Sequence, residues 1–184
     1  MNNPEQYTPG SASGAEIKKN GEKWTLVLVR ELAHQADKVW QALTEPDQLR
    51  QWAPYDADRN LGTVGNATLS WAGSPHASEA QVKRADAPKV LEFSLGEQDM
   101  RWELEPLGSG TRLTLWINID RRFIAMGATG WHVCFDVLGR LLAGQPMARI
   151  AGPDAMKLDG WQRLQAEYAQ QLGVEIPSWP SRPS

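Results

Sequence analysis

The sequence predicts an α+β domain in which helices cover one face of an antiparallel sheet. Three observations support this fold class. A strand-like run is followed at once by two short amphipathic helices, the middle third contains alternating strand-like segments, and the last third has helical periodicity. At 184 residues, the chain has the length of about one domain.

The first helix is predicted directly after the strand-like run at residues 26–32. Val39, Trp40 and Leu43 follow at the spacing of three to four residues that places side chains on one helical face. Asp37 precedes them and is expected to cap the helix by accepting from an amide of the first turn.

A second short helix is predicted after the sequence Thr-Glu-Pro-Asp at residues 44–47. This tetrapeptide fits a capping box, and Pro46 suits the first helical turn. Leu49 and Trp52 give this helix an apolar face, and Pro54 limits its length.

The middle of the chain reads as successive antiparallel strands separated by turns that contain glycine or proline. Alternation places apolar residues on one face and charged residues on the other, which leaves one face in water and requires a cover for the other. The five predicted strands are residues 68–72, 79–85, 90–95, 100–105 and 111–119.

The C-terminal third supplies the cover. Residues 131–142 carry apolar side chains at helical spacing, and Gly144 is a plausible end for that helix. The pattern breaks at residues 145–152. Asp154 is then expected to cap a further helix that ends at Gly173.

We expect one folded domain between two irregular ends. Residues 1–20 lack periodicity and are rich in Asn, Pro, Gly and Ser, so they are predicted to be a disordered N-terminal tail. Residues 21–174 form the domain, and residues 175–184 form an irregular C-terminal tail in which Trp179 can dock back.

The composition excludes several classes of function. With 19 basic and 22 acidic residues and no block of like charge, neither nucleic-acid binding nor a polybasic membrane patch is expected. No apolar run reaches the ~20 residues that a membrane-spanning helix needs. The single cysteine, Cys134, and the lack of a signal peptide predict a cytoplasmic protein without an internal disulfide.

The chain contains few groups suited to chemistry. Its three histidines have no metal-ligand spacing, so no metal and no cofactor are predicted. His132 and Asp136 lie four residues apart on one helical face, where the carboxylate can orient the imidazole. They are weak catalytic candidates, and the alternative is a hydrogen bond that only holds the helix in place. Cys134 is expected to be a buried core residue.

The order of these elements resembles the START-like (SRPBCC) superfamily, in the branch of homologues of the heat-shock protein 90 ATPase activator. The resemblance covers roughly residues 23–173. It is carried by the helix pair at 39–54, the sequence Gly-Thr-Arg-Leu-Thr-Leu at 110–115 and the helix opening at Gly130. It implies a helix-grip fold: a curved antiparallel sheet wraps over a long C-terminal helix, with a cavity for a small apolar molecule between them.

The resemblance also directs attention to residues 123–130, read as a loop with two glycines that helps to form the mouth of the cavity. Arg121 and Arg122 precede it and are either contacts for an anionic head group or solvated ends of a strand. Nine tryptophans are spread along the chain. Most are expected in the core, including Trp40 and Trp161. The predicted ligand-binding residues are Trp71, Phe93, Met100, Trp102, Leu113, Leu115, Trp131, His132 and Phe135.

The leading hypothesis is a protein that binds a small hydrophobic or aromatic ligand and is not an enzyme. One alternative is an enzyme of the polyketide cyclase or hydrolase type, with His132 and Asp136 as its acid–base pair. Another is a co-chaperone-like partner of the heat-shock ATPase, and a further one is an interior filled by bulky side chains. A homodimer is possible.

Overall fold

Eight antiparallel strands form one curved sheet in the computed structural model, which describes residues 7–177. Their order across the sheet is β1-β2-β8-β7-β6-β5-β4-β3. Strands that follow each other in the chain pair with each other, except for β2 and β3. Strand β2 pairs instead with β8, the last strand of the chain. The strands are β1 (Ala15–Asn20), β2 (Lys23–Leu32), β3 (Tyr55–Ala57), β4 (Gly65–Trp71), β5 (Ala77–Asp86), β6 (Val90–Leu95), β7 (Gln98–Leu107) and β8 (Gly110–Asn118).

Four α-helices complete the described chain. Helices α1 (Ala36–Thr44) and α2 (Pro46–Trp52) lie between β2 and β3, and α3 (Ile124–Leu142) crosses the inner face of the sheet. Helix α4 (Trp161–Leu172) packs on α3. This arrangement confirms the predicted α+β, helix-grip fold.

The predicted alternation is confirmed on the two central strands. Trp102 of β7 pairs with Leu115 of β8, and both are fully buried on the inner face. Arg101 lies on the outer face, where it forms ion pairs with Glu92 and Glu103 and stacks on Trp116. The sheet therefore has one apolar and one charged face, as its sequence requires.

Aromatic rings fill the space between the sheet and the helices. Trp52 of α2 contacts Trp102 of β7, with 6.2 Å between ring centroids, and Trp131 of α3 lies 5.5 Å from Trp102. Phe135 stacks on Trp52 at 6.4 Å. Such edge-on and offset contacts add to the burial of large apolar area. This cluster fixes α2 and α3 on the sheet.

The prediction of a disordered tail at residues 1–20 is wrong for the part that the structure describes. Residues 15–20 form β1, an edge strand paired with β2, and Tyr7 and Ala12 are buried. The sequence gives little sign of this strand because only Ile17 is apolar among its four central residues. Residues 1–6 and 178–184, and with them Trp179, lie outside the described residues.

The predicted helix caps are also wrong. Gln35, not Asp37, is at the N-cap position of α1, and its side chain forms no capping hydrogen bond. The Thr44 hydroxyl donates to the carbonyl of Trp40 at 2.8 Å, so it does not take part in a capping box. Pro46 does occupy the first turn of α2.

Residues 123–130 are not a loop, because α3 already begins at Ile124 after a 3-10 turn at Arg121–Phe123. Two glycines suggested a loop, but here they permit close packing. A Cβ atom on Gly127 would lie 2.8 Å from Cδ1 of Ile119. That atom is the end of a flexible side chain, so an alanine at position 127 would require only a shift of Ile119.

The second C-terminal helix begins later than predicted. Asp154 lies in a 3-10 turn, Gly152–Lys157, and α4 starts at Trp161 after Gly160, which has φ +89°. The predicted helix ends are confirmed, since Gly144 and Gly173 adopt left-handed φ values of +75° and +66°.

The aromatic cluster yields a prediction for stability. Trp102→Leu should lower the free energy of unfolding by about 2–3 kcal/mol, because it leaves a cavity in a fully buried site. Trp116→Leu on the neighbouring strand is the matched control and should cost less than about 1 kcal/mol, since Trp116 faces outward over Arg101. Urea denaturation measures both, and equal losses would contradict the assignment of faces.

Candidate functional site

A cleft of about 970 Å³ lies between the sheet and the first half of α3. It is at the end of the sheet where β2 begins and β8 ends, with Lys23, Trp24, Ile117 and Asn118 on that side. Opposite them are Met126, Gly127, Gly130, Trp131 and Cys134 of α3. The connection between α3 and α4 closes a third side with residues 150–156.

Four tryptophans from four different elements reach this cleft: Trp24 of β2, Trp71 of β4, Trp131 of α3 and Trp161 of α4. Trp131 is also part of the aromatic core, and Trp71 packs edge-on against Tyr55 with 5.9 Å between ring centroids. Trp131 and Trp161 are only 6% and 4% exposed, so each offers a small part of its ring to the cleft while the rest is packed in the interior. Apolar walls of this kind suit a flat or elongated apolar molecule.

The connection that closes the cleft is tied to the sheet. Arg149 donates to the carboxylate of Asp56 in β3 at 2.5 Å. Gly152 has φ +69°, and a Cβ there would lie 2.5 Å from the carbonyl oxygen of Ala72. A side chain at position 152 would therefore push the connection off the end of β4.

The rim of the cleft carries positively and negatively charged side chains. Arg121 lies over the ring of Trp24 at 5.2 Å and forms no ion pair within residues 7–177. Arg122 is instead held by Asp120, and the hydrogen bonds from Arg122 keep the pKa of that carboxyl below its usual range. Of the two arginines considered for an anionic head group, the structure brings only Arg121 to the cleft.

Two of the nine residues predicted to bind ligand, Trp71 and Trp131, line this cleft. Six others belong to the packed interior: Phe93, Met100, Trp102, Leu113, Leu115 and Phe135. Alternation along a strand identifies which side chains face inward. It does not show which end of the sheet stays open, and the missed wall residues Trp24, Met126 and Trp161 are at that end.

His132 does not line the cleft. At about 100° per residue, it projects from α3 on the side opposite Gly130. Its Nε2 lies 3.5 Å from Oδ2 of Asp136, as the helical spacing predicted, and its Nδ1 lies 2.7 Å from the Tyr168 hydroxyl and 3.3 Å from Arg30. The Tyr7 hydroxyl donates to Asp136. The pair therefore joins α3 to α4 and to the N-terminal segment.

Burial by itself raises the pKa of the Asp136 carboxyl, but hydrogen bonds from His132 and Tyr7 and the charge of Arg30 outweigh it. The net effect is a pKa below the usual range. Asp136 is thus held as a carboxylate in a structural network.

Cys134 does line the cleft, but as an inert thiol. It is 2% exposed, and its Sγ lies 3.9 Å from the carbonyl oxygen of Ile150. Burial raises its pKa to about 12. A thiol in this environment is almost never ionised at neutral pH and is a poor nucleophile.

Within residues 7–177, no group of three His, Cys, Asp or Glu side chains is placed to hold a metal ion. In the same part of the chain, no helix is long and apolar enough to cross a membrane.

Fold and cleft together define a protein of the START-like class, in which a curved sheet grips a helix. Within this class, the sequence matches the family described as "Activator of Hsp90 ATPase homolog 1-like protein" over residues 33–143, more than half of the chain. The chain belongs to this family. No functionally curated protein matches the sequence.

Solved structures share the fold at low sequence identity. The crystal structure of CalU16 from Micromonospora echinospora is 20% identical, with 85% of this chain and 94% of that chain covered and a TM-score of 0.63. Its solution structure covers 90% and 96% at 17% identity, with a TM-score of 0.65. EF2215 from Enterococcus faecalis, a conserved protein of unknown function, is 16% identical, with 85% and 89% covered and a TM-score of 0.63.

The network around Asp136 predicts an acid-dependent loss of stability. A carboxyl whose pKa is lowered by folding stabilises the protein above its unfolded pKa, and this contribution disappears as pH falls through the folded pKa. Asp136→Asn should cost about 1 kcal/mol at pH 7, and the difference from the unmodified protein should shrink once pH falls below the ordinary value of 3.8. Urea denaturation at several pH values checks this, and a difference that persists unchanged in acid would contradict it.

The burial of Cys134 predicts slow thiol chemistry. At pH 8, the native protein should react with an aromatic disulfide reagent at least about tenfold more slowly than the unfolded chain, because burial raises the pKa of the thiol and keeps the reagent away from it. Because Cys134 is the single cysteine, one equivalent reacts after unfolding in guanidinium. A native rate close to that of the unfolded chain would show that the thiol is accessible.

Proposed function

We propose that this protein binds a small hydrophobic or aromatic molecule in the cleft between the sheet and α3. The observation that carries the proposal is the convergence of Trp24, Trp71, Trp131 and Trp161 on one cleft of about 970 Å³. Small-molecule sites typically span roughly 300–1,000 Å³ and combine apolar walls with a few polar groups. This cleft is at the upper end of that range.

Binding is driven by the apolar area that the ligand removes from water, at about 25 cal/mol per Å². A flat ligand that buries about 200 Å² of apolar surface against the indole rings would gain roughly 5 kcal/mol by this measure. Polar groups at the rim, among them Asn118 and Arg121, fix the orientation of a ligand that carries a polar end.

No specific observation favours the enzyme hypothesis. The cyclase or hydrolase alternative relied on His132 and Asp136, and both are committed to the network with Tyr7, Tyr168 and Arg30, away from the cleft. The co-chaperone-like role, the cytoplasmic location and the possible homodimer stay predictions from the sequence.

A pair of glycine variants on α3 tests the proposal. Gly130 lines the cleft, and a Cβ there would lie 3.7 Å from Cη2 of Trp161, so Gly130→Leu fills space between α3 and α4. Gly139 has open space around its Cβ position and does not line the cleft, so Gly139→Leu is the matched control. Both changes raise helix propensity by a similar amount.

We expect aminoanthracene, a flat and uncharged fluorophore, to bind the unmodified protein and the Gly139→Leu variant with dissociation constants within about twofold. Gly130→Leu should weaken binding by about tenfold or more, since four carbon atoms occupy the site. Fluorescence titration gives the three constants, and thermal melts confirm that both variants are folded. Equal affinity of the two variants would place the site elsewhere.

A further inference from the structure

The N-terminal arm, defined as residues 7–14, is bound along the outside of α3 and α4. It buries the side chains of Tyr7, Pro9 and Ala12. At one end the Tyr7 hydroxyl donates to Asp136 of α3, and at the other the carbonyl of Ser13 accepts from Arg30 at 3.0 Å and from Tyr168 at 3.2 Å. A segment with so few buried side chains belongs to the low-stability end of a structure.

Helix α4 holds the middle of the arm by its backbone. Arg163 donates to the carbonyl of Pro9 at 2.6 Å and pairs with Glu167 at 2.5 Å. Glu167 in turn accepts from the amide of Ala12 at 3.2 Å, and Gln171 donates to the carbonyl of Ala12 at 3.1 Å. Three consecutive turns of α4 thus contact the arm.

The arm also packs on the first turn of α4, directly beside the cleft wall. A Cβ on Gly160 would lie 3.3 Å from both Pro9 and Thr8, so these arm residues lie close to the helix start. The next residue is Trp161, which lines the cleft and is 4% exposed. Its indole N–H has no acceptor within residues 7–177, so packing alone holds the ring in place.

We propose that the N-terminal arm is a releasable clamp that holds Trp161 in the wall of the cleft and so controls how fast a ligand enters and leaves. The clamp rests on the proposed function, since it regulates the same site. When the arm is docked, α4 is pressed on α3 and the wall at Trp161 is closed. When the arm is released, the start of α4 loses its outer support and the wall opens.

The coupling must act in both directions. A ligand that packs against Trp161 favours the closed wall, and the closed wall favours the docked arm. Aminoanthracene should therefore slow hydrogen exchange of the arm amides, although it touches none of them.

Two variants loosen the arm at different points in the full-length chain. Tyr7→Phe removes the hydrogen bond to Asp136, and Arg163→Met removes the contact with Pro9 while keeping the apolar stem. The double variant removes both. Arg50→Met is the control, because Arg50 forms only an exposed pair with Asp47 on α2.

Stopped-flow fluorescence with aminoanthracene gives association and dissociation rates, and hydrogen exchange reports on the arm. Each single variant should raise the dissociation rate by about fivefold and the association rate by a smaller factor, with larger changes in the double variant, as expected for the loss of one and then two hydrogen bonds. The dissociation constant should therefore rise, as the coupling between ligand and docked arm requires. Exchange of the arm should accelerate in parallel. The rates of Arg50→Met should stay within about twofold of the unmodified protein.

Unchanged binding rates in variants whose arm exchanges faster would overturn the clamp, and so would an arm whose exchange is unaffected even in the double variant. In either case, weaker binding of aminoanthracene by Gly130→Leu than by Gly139→Leu would still support the proposed function. If Gly130→Leu and Gly139→Leu bind aminoanthracene equally, the proposed function fails and the clamp fails with it.

Discussion

The contact between Trp131 and Trp102 joins the core of this protein to its cleft. One side of the Trp131 ring packs 5.5 Å from Trp102 and 5.7 Å from Phe135, between centroids, while the residue also lines the cleft. The contact sets how closely α3 approaches β7, and α3 in turn positions Gly127 and Gly130 against the far wall. Any ligand in the cleft would therefore rest on a ring that the core holds rigid.

The cleft stays open because large side chains and glycines occupy different parts of α3. Phe135 and Leu138 fill the middle of the sheet, whereas Gly127 and Gly130 leave space near its open end. Glycine lowers the intrinsic stability of the helix by roughly 0.5–1 kcal/mol at each position. Burial of the helix against the sheet offsets that cost, so α3 is stable although its glycines leave room for the cleft. Sheet, helix and the Arg149–Asp56 contact together enclose the cleft, and Trp161 is held in its wall by packing, since its indole N–H has no acceptor within residues 7–177.

Hydrophobic periodicity predicted the inner face of the sheet, because Met100, Trp102 and Leu104 alternate with charged residues. It also predicted α3, because apolar residues recur there every three to four positions. Periodicity does not encode how far along a strand the packed region extends. For that reason, six predicted ligand contacts belong to the core while Trp24 at the start of β2 was missed. Trp161 was assigned to the core because it continues a helical stripe, yet the same side chain can pack on one edge and line a cleft on another.

The N-terminal arm was missed for a different reason. Its contacts are hydrogen bonds from side chains distant in sequence, such as Arg163 and Tyr168, to its backbone carbonyls. Backbone groups carry no sequence signal, and the few apolar residues of the arm have no regular spacing. The pair of His132 and Asp136 was found by helical spacing, but its partners Tyr7 and Arg30 come from other elements. Without them, the spacing favoured a hydrogen bond that holds the helix but left catalysis as an alternative.

We propose that the four tryptophans that line the cleft form one binding surface. Fluorine NMR of protein labelled with fluorotryptophan tests it directly, since each of the nine indole rings gives its own resonance. Addition of aminoanthracene should shift the resonances of Trp24, Trp71, Trp131 and Trp161 most strongly, with that of the outward-facing Trp116 unchanged. Shifts confined to Trp116, or no shifts at a saturating concentration, would contradict a ligand site between the sheet and α3.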